Sequence, residues 1–194
     1  MSMRMPRGRN PVTRQHIVDV ADQLFNDRGC RAVGMDEIVR VAGLGKMTLY
    51  RHFPTKDDLV VGVLESRSIH AQEALTAAAA SARSPLRRLR AVITAVAEEV
   101  NETSFRGCPF QNAMAEFRAD HPAQSVVRRH QQALLSMLRR LAVEADCRKP
   151  ERLSEDLLFL INGAYATARV LDPTTARRRL LSLSNAAIEA CTLG

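Results

Sequence analysis

The sequence predicts an all-α protein with an N-terminal three-helix head and a larger helical C-terminal domain. Apolar residues recur at helical spacing along nearly the whole chain of 194 residues, and no segment sustains the alternation of a half-buried strand. Ser84-Pro85, His121-Pro122 and Asp172-Pro173 each put a proline where a helix starts, because the first helical position needs no N–H. Gly43 sits between two short apolar-patterned stretches and is suited to a left-handed turn joining two helices. With 46% hydrophobic residues the chain can bury a core of its own.

The first helix is predicted from Thr13, a candidate N-cap, to about Gly29, with Ile17, Val20, Ala21, Leu24 and Phe25 in one stripe. A shorter helix carries Ile38, Val41 and Ala42 and stops at Gly43. A third follows through Lys46 to Phe53. Pro54-Thr55-Lys56-Asp57-Asp58 reads as a break and a restart, with Thr55 and Asp58 spaced for a capping box. The fourth helix is long and runs into the alanines at 77–80. Proline-started helices are expected over 85–103, 122–146 and 173–191, with two more over 109–119 and 151–170. The expected domains are a basic arm at 1–12, a head at 13–55 and a body at 56–194.

The net charge of +7 and pI near 9.9 favour an acidic partner such as nucleic acid or an anionic membrane surface. The distribution is more informative than the total. Arg4, Arg7, Arg9 and Arg14 fall in the first fifteen residues with no acid among them, whereas later charges of both signs are interspersed as on solvated helix faces. This start, containing Pro6 and Gly8 and no apolar run behind it, does not read as a secretory signal. No apolar stretch approaches the roughly 18 residues a membrane span requires. Cys30, Cys108, Cys147 and Cys191 are scattered without a CxxC pair, which argues against a zinc site or disulfide framework and for a reducing cytoplasm. No metal or cofactor is expected.

Two short helices joined through a glycine turn, with Ile38, Ala42, Leu44 and Leu49 directed inward, suit a helix-turn-helix, whose second helix enters the DNA major groove. The outward residues are then Lys46, Met47, Thr48, Tyr50, Arg51 and His52: cations for phosphate, hydroxyls for phosphate or base edges, and a ring for a thymine methyl or the sugar backbone. The fourth helix adds backbone N–H groups at its start and Lys56 as a phosphate anchor. Arg4, Arg7 and Arg9 are placed to follow the backbone or enter a minor groove.

In this segment the chain resembles the TetR family of bacterial regulators, whose motif reads Ile-Ala-x-x-Ala-Gly-Val-Ser-x-Gly-Thr-Leu-Tyr-x-His-Phe followed by an acidic, Lys-containing restart. Ile38, Ala42, Gly43, Thr48, Leu49, Tyr50, His52, Phe53, Lys56 and Leu59 match it. The resemblance implies DNA contacts from Thr48, Tyr50, His52 and Lys56. Val39, Gly45 and Met47 depart from the motif, and the longer Met47 suggests an unusual operator. It further implies a helical body that dimerises and takes up a small-molecule effector, repression being the family default, with a roughly palindromic duplex as partner and no membrane.

The last two helices are the expected dimer pair. Leu153, Leu157, Leu160, Ile161, Ala164 and Ala168 stripe one, and Leu180, Leu183, Ala187, Ile188 and Cys191 stripe the other; the same stripes would equally serve the core of their own domain. Residues 106–117 resemble a Gly-Cys-x-x-x-Asn-Ala-x-x-Glu segment that flanks the effector cavity in many family members. The candidate ligand contacts are Phe110, Asn112, Met114, Phe117, Asn162 and Tyr165, with Glu116 as a further polar candidate.

Asp120-His121 and Cys108 raise an enzyme as a rival, but no Ser/His/Asp set, metal-ligand spacing or phosphate-cradling loop accompanies them. A charge-only nucleic-acid binder explains the arm and leaves the ordered motif without a role. A DNA-binding regulator triggered by oxidation of Cys108, or one that activates, keeps the motif and changes the signal.

Overall fold

A computed structural model of the chain describes residues 11–102 and 105–192, so the expected contacts Arg4, Arg7 and Arg9 lie outside the described residues. Among those residues are nine α-helices and no strand: α1 (Pro11–Arg28), α2 (Met35–Ala42), α3 (Lys46–His52), α4 (Lys56–Ala80), α5 (Pro85–Asn101), α6 (Pro109–Glu116), α7 (Pro122–Glu144), α8 (Pro150–Leu171) and α9 (Pro173–Thr192). The order is the expected one and the ends shift by a turn or less. α1 starts at Pro11 in place of Thr13, because proline's fixed φ suits a first turn. The capping box ahead of α4 forms: Thr55 Oγ1 accepts from the Asp58 N–H at 3.1 Å, and the Asp58 carboxylate accepts from the Thr55 N–H at 3.0 Å.

Contacts divide the described chain into two units. The first takes the residues up to Arg67 together with Asn112–Val126; the second takes Ser68–Gln111 with the residues from Val127 onward. This differs from the expected division after residue 55. Leu59, Val60, Val63 and Leu64 of α4 are buried in the core of the first unit beside Ile17, Ile38 and Leu49, so the head is not complete without the first turns of α4.

In the second unit α5, α8 and α9 pack on one another, around Leu89, Ile93, Leu157, Ile161 and Ile188. Of the two readings of the α8 and α9 stripes, burial favours the core of their own unit. Leu153, Leu157, Ile161, Ala164 and Ala168 of α8, with Leu180 and Ile188 of α9, are buried within their own unit; Leu160, Ala187 and Cys191 pack against that core. The stripes offered for dimerisation are therefore largely intramolecular. Of the stripes Leu183 of α9 stays exposed, and outside them Phe159 is 83% exposed and Val170 81%.

His130 of α7 is half-buried in the same unit. Its ring stacks on Phe110 with centroids 3.6 Å apart, and its Nδ1 meets the Ser68 hydroxyl at 3.0 Å. That hydroxyl already accepts from Gln72 at 3.1 Å, so its hydrogen is available to Nδ1 and the neutral imidazole suits the site. Burial pushes the His130 pKa down from 6.5 to about 4. Above pH 6.5 the residue is neutral in folded and unfolded chains alike, whereas between 6.5 and 4 the unfolded chain takes the proton first and stability falls. Discounted for partial exposure, the loss is about 2 kcal/mol. We expect His130→Leu to flatten the fall in melting temperature between pH 7 and pH 4.5 relative to the wild type; identical pH profiles would refute the assignment.

Candidate nucleic-acid interface

α2 and α3 meet across Gly43, which takes φ +64°. The Gly43 N–H donates to Arg40 C=O at 3.3 Å and the Leu44 N–H to Val39 C=O at 3.2 Å, which closes α2. Any other residue here would carry about 1–2 kcal/mol of left-handed strain. α1 braces the pair, as His16 Nε2–H donates to the Ala42 carbonyl at 3.0 Å.

The seven residues of α3 divide by helical spacing. Leu49 and His52, with the C-cap Phe53, turn inward and are buried. Lys46, Met47, Tyr50 and Arg51 are exposed and Thr48 is half-buried. Met47 stands 84% exposed, a large apolar side chain with no packing role inside the chain. Phe53 lies so close to α4 that a Cβ on Gly62 would fall 2.8 Å from its ring, so glycine at that position sets how near α3 and α4 approach. The Arg14 guanidinium sits over the same ring, 5.0 Å from its centroid.

His52 is a correction. Expected at the DNA surface, it is 5% exposed, because position 52 follows Leu49 by three residues and shares its inward face. Its side chain is a packing group.

Two of the cations are held in place. Lys46 pairs with Asp36 of α2 at 2.7 Å, and the hydrogen bond to that carboxylate raises its pKa. Lys56 donates to the Arg31 carbonyl at 3.1 Å. An ammonium has three donors, so each retains capacity for a phosphate oxygen.

The first unit also contains a clasp built from the end of α6 and the turn after it. The Glu116 carboxylate accepts from the backbone N–H groups of Arg31 at 2.5 Å and Cys30 at 3.2 Å, in the turn between α1 and α2. His121 stacks on Phe117 with centroids 4.0 Å apart. Its Nδ1 accepts from the Ala123 N–H at 3.1 Å, which leaves Nε2 to face Asp57 at the start of α4, 3.3 Å away. Burial first, then the Glu116 charge, pushes the Cys30 thiol up to about 11, so it stays protonated and inert at neutral pH.

Glu116, considered as a ligand contact, is thus engaged with backbone of the head. The other ligand candidates are distributed over both units. Asn112 and Met114 are exposed in the first, where Phe117 stacks on His121. In the second, Phe110 is buried against His130, Asn162 accepts from Gln111 Nε2 at 2.9 Å and donates to Gln131 at 3.2 Å, and the Tyr165 hydroxyl donates to Glu99 at 2.8 Å. Among the described residues no group of three or more His, Cys, Asp or Glu is arranged to hold a metal.

This arrangement matches known proteins along most of the chain. Residues 17–63 match the family described as "Bacterial regulatory proteins, tetR family", and residues 85–183 match "Tetracyclin repressor-like, C-terminal domain". The chain belongs to the TetR family. A TetR-family transcriptional regulator from Streptomyces coelicolor, SCO4454, has the same fold with a TM-score of 0.88 and 28% identity, over 93% of this chain and 90% of that one. The transcriptional regulator BetI of Rhizobium meliloti is 29% identical over 174 residues, 83% of this chain and 80% of its own length. The activator FasR of Mycolicibacterium smegmatis is 33% identical over 101 residues, which cover 52% of this chain and 45% of FasR. The chain is accordingly a helix-turn-helix transcriptional regulator that binds DNA, and its relatives are regulators and not enzymes. No helix among the described residues is long and apolar enough to cross a membrane.

Sequence reasoning missed two features of this TetR-family head: the Asp36 clamp on Lys46 and the Glu116 contact. Glu116 lies 85 residues from Arg31, and no local pattern signals such a pairing.

Proposed function

We propose that the protein is a cytoplasmic, homodimeric repressor that reads a roughly palindromic operator with α3 and leaves it when a small molecule enters the body. The observation that carries the reading is the outward face of α3, where Met47 and Tyr50 stand exposed above a buried Leu49, His52 and Phe53. Met47 and Thr48 take the base edges, and Tyr50, Lys46, Arg51 and Lys56 take the backbone. The arm residues Arg4, Arg7 and Arg9 add charge contacts. Two such heads on a two-fold dimer reach half-sites about 34–36 Å apart, or a multiple of that.

Selection from random duplexes tests this. Recovered sites carry two inverted half-sites, and Thr48→Ala with Tyr50→Ala lowers affinity for them by about 100-fold, at roughly 1–3 kcal/mol per lost contact. Unchanged affinity would show that another surface binds.

Asp36 supplies a second test. It neutralises Lys46 beside the expected DNA face, so Asp36→Asn frees one cation and removes one repulsive charge. Affinity at low salt rises several-fold and the slope of log K against log salt steepens by about 0.9 or less. A slope that does not move places Lys46 away from phosphate.

The effector reading rests on α4 and α6, each of which passes from one contact unit into the other. A ligand seated near Phe110, Asn162 and Tyr165 shifts helices that also carry Lys56 and Glu116, and a coupling of about 1–3 kcal/mol weakens operator binding by roughly 5–150-fold. FasR is a transcriptional activator, which favours a second reading, activation from the same head. A reporter gene with the operator upstream or across the promoter distinguishes the two.

A further inference from the structure

Cys147 and Cys191 come from sequence positions with no shared motif, yet the fold places them together. Cys147 ends the turn after α7 and is buried in the core of the second unit, and Cys191 of α9 packs against that core. The two side chains are near enough to influence one another, and the Arg148 N–H donates to the Cys191 carbonyl at 3.2 Å. Each bonded atom lies about 2.4 Å from the Cα of interest, so the two Cα atoms are within about 8 Å. Disulfides usually span about 4.4–6.8 Å, inside that bound. Cys191 is half-buried and opens on a surface cleft of about 360 Å³ whose lining includes Arg148, Lys149, Arg152 and Asp156.

We propose that Cys147 and Cys191 form a reversible intramolecular disulfide when the protein meets a small hydroperoxide, with Cys191 as the attacking thiol and Cys147 as the resolving one. The Cys191 sulfur takes the terminal oxygen of the hydroperoxide. The O–O bond breaks, the remainder leaves as water or an alcohol, and Cys191 becomes a sulfenic acid. The Cys147 sulfur then attacks the Cys191 sulfur, the S–O bond breaks, and the departing oxygen leaves as water with the Cys147 proton. In sum, two thiols are oxidised by two electrons and one peroxide bond is reduced. The order follows from access and acidity. Burial, and then the neighbouring Cys191, push Cys147 up to about 11, so it is a poor first nucleophile at neutral pH. Hydrogen peroxide is small enough to enter even where a second copy covers part of the rim. The bond would join the turn before α8 to the end of α9 and so staple the two helices that carry the outward apolar face.

The reduced full-length protein is treated with hydrogen peroxide, alkylated and digested without reductant. The expected product is one cross-linked peptide pair joining Cys147 to Cys191 within a single chain, two hydrogens lighter than its parts and restored by dithiothreitol. The oxidised protein should melt a few degrees higher than the reduced protein. Cys191→Ser, a change at the less buried position, should abolish both the cross-link and the melting shift. Cys191 recovered as sulfinic acid with Cys147 alkylated, a linkage between two chains, or a melting shift that persists in Cys191→Ser would each overturn the proposal.

Discussion

Phe159→Asp is expected to convert the protein to a monomer and to lower operator affinity by at least about 100-fold. Phe159 is 83% exposed in the single chain, so it contributes little to the fold of its own protomer. A ring in that position invites cover. On α8 it shares a helical face with Gly163 and Val170, four and eleven residues on, and Gly163 has open space where a Cβ would stand. Close helix approach and a central aromatic anchor are what a two-fold helical interface needs, and truncating such an anchor costs about 2 kcal/mol or more. Aspartate adds the penalty of a carboxylate buried twice, once in each subunit. Sedimentation should give a monomer with an unchanged helical spectrum, because α8 still buries Leu157 and Ile161. Leu157→Ala is the informative contrast: it removes a side chain that is wholly buried and should cost about 2–5 kcal/mol of stability within each protomer. If Phe159→Asp sediments as a dimer and keeps its operator affinity, the subunits meet through another surface.

The contrast between Phe159 and Leu157 shows what the sequence could and could not reveal. Helix starts were legible because their signals are local: proline at 85, 122 and 173, and Thr55 paired with Asp58, act within one turn. The turn at Gly43 was legible for the same reason, since its left-handed φ is demanded by neighbours two residues away. Apolar periodicity identified the stripes on α8 and α9, but a stripe carries no label for the surface that covers it, and here it is the body's own core. Phe159 and Val170 fall outside the periodic pattern, and only their joint exposure in the fold marks an outward apolar face. His52 failed differently. Its spacing from Leu49 pointed inward, yet the helix-turn-helix reading counted it among the outward residues and the family motif reinforced that. Glu116 was noticed as part of a motif, but its partner is fixed by tertiary packing, which leaves no trace in a single sequence.

That contact leads to the second large effect. Glu116→Ala is expected to lower operator affinity by about tenfold or more and to loosen the turn between α1 and α2. The carboxylate satisfies two backbone N–H groups at once, and a hydrogen bond to a charged acceptor contributes about 1.5–3 kcal/mol. Arg31 is exposed, so water replaces part of what is lost there, and a net cost near 2 kcal/mol is reasonable. The same turn presents the Arg31 carbonyl to Lys56, the expected phosphate anchor at the start of α4, so disorder in the turn reaches the DNA face. Glu116→Gln keeps one good acceptor without the charge and should fall between Ala and the wild type. Hydrogen exchange reads the cause directly: the Cys30 and Arg31 amides lose protection in Glu116→Ala and part of it in Glu116→Gln, while amides in α8 are unaffected. Should exchange quicken at those amides with operator affinity unchanged, α6 would stiffen the head without communicating with DNA. Should neither change, the clasp does not persist in solution and the signal from the body would have to travel through α4 or α7, which also pass from one unit into the other.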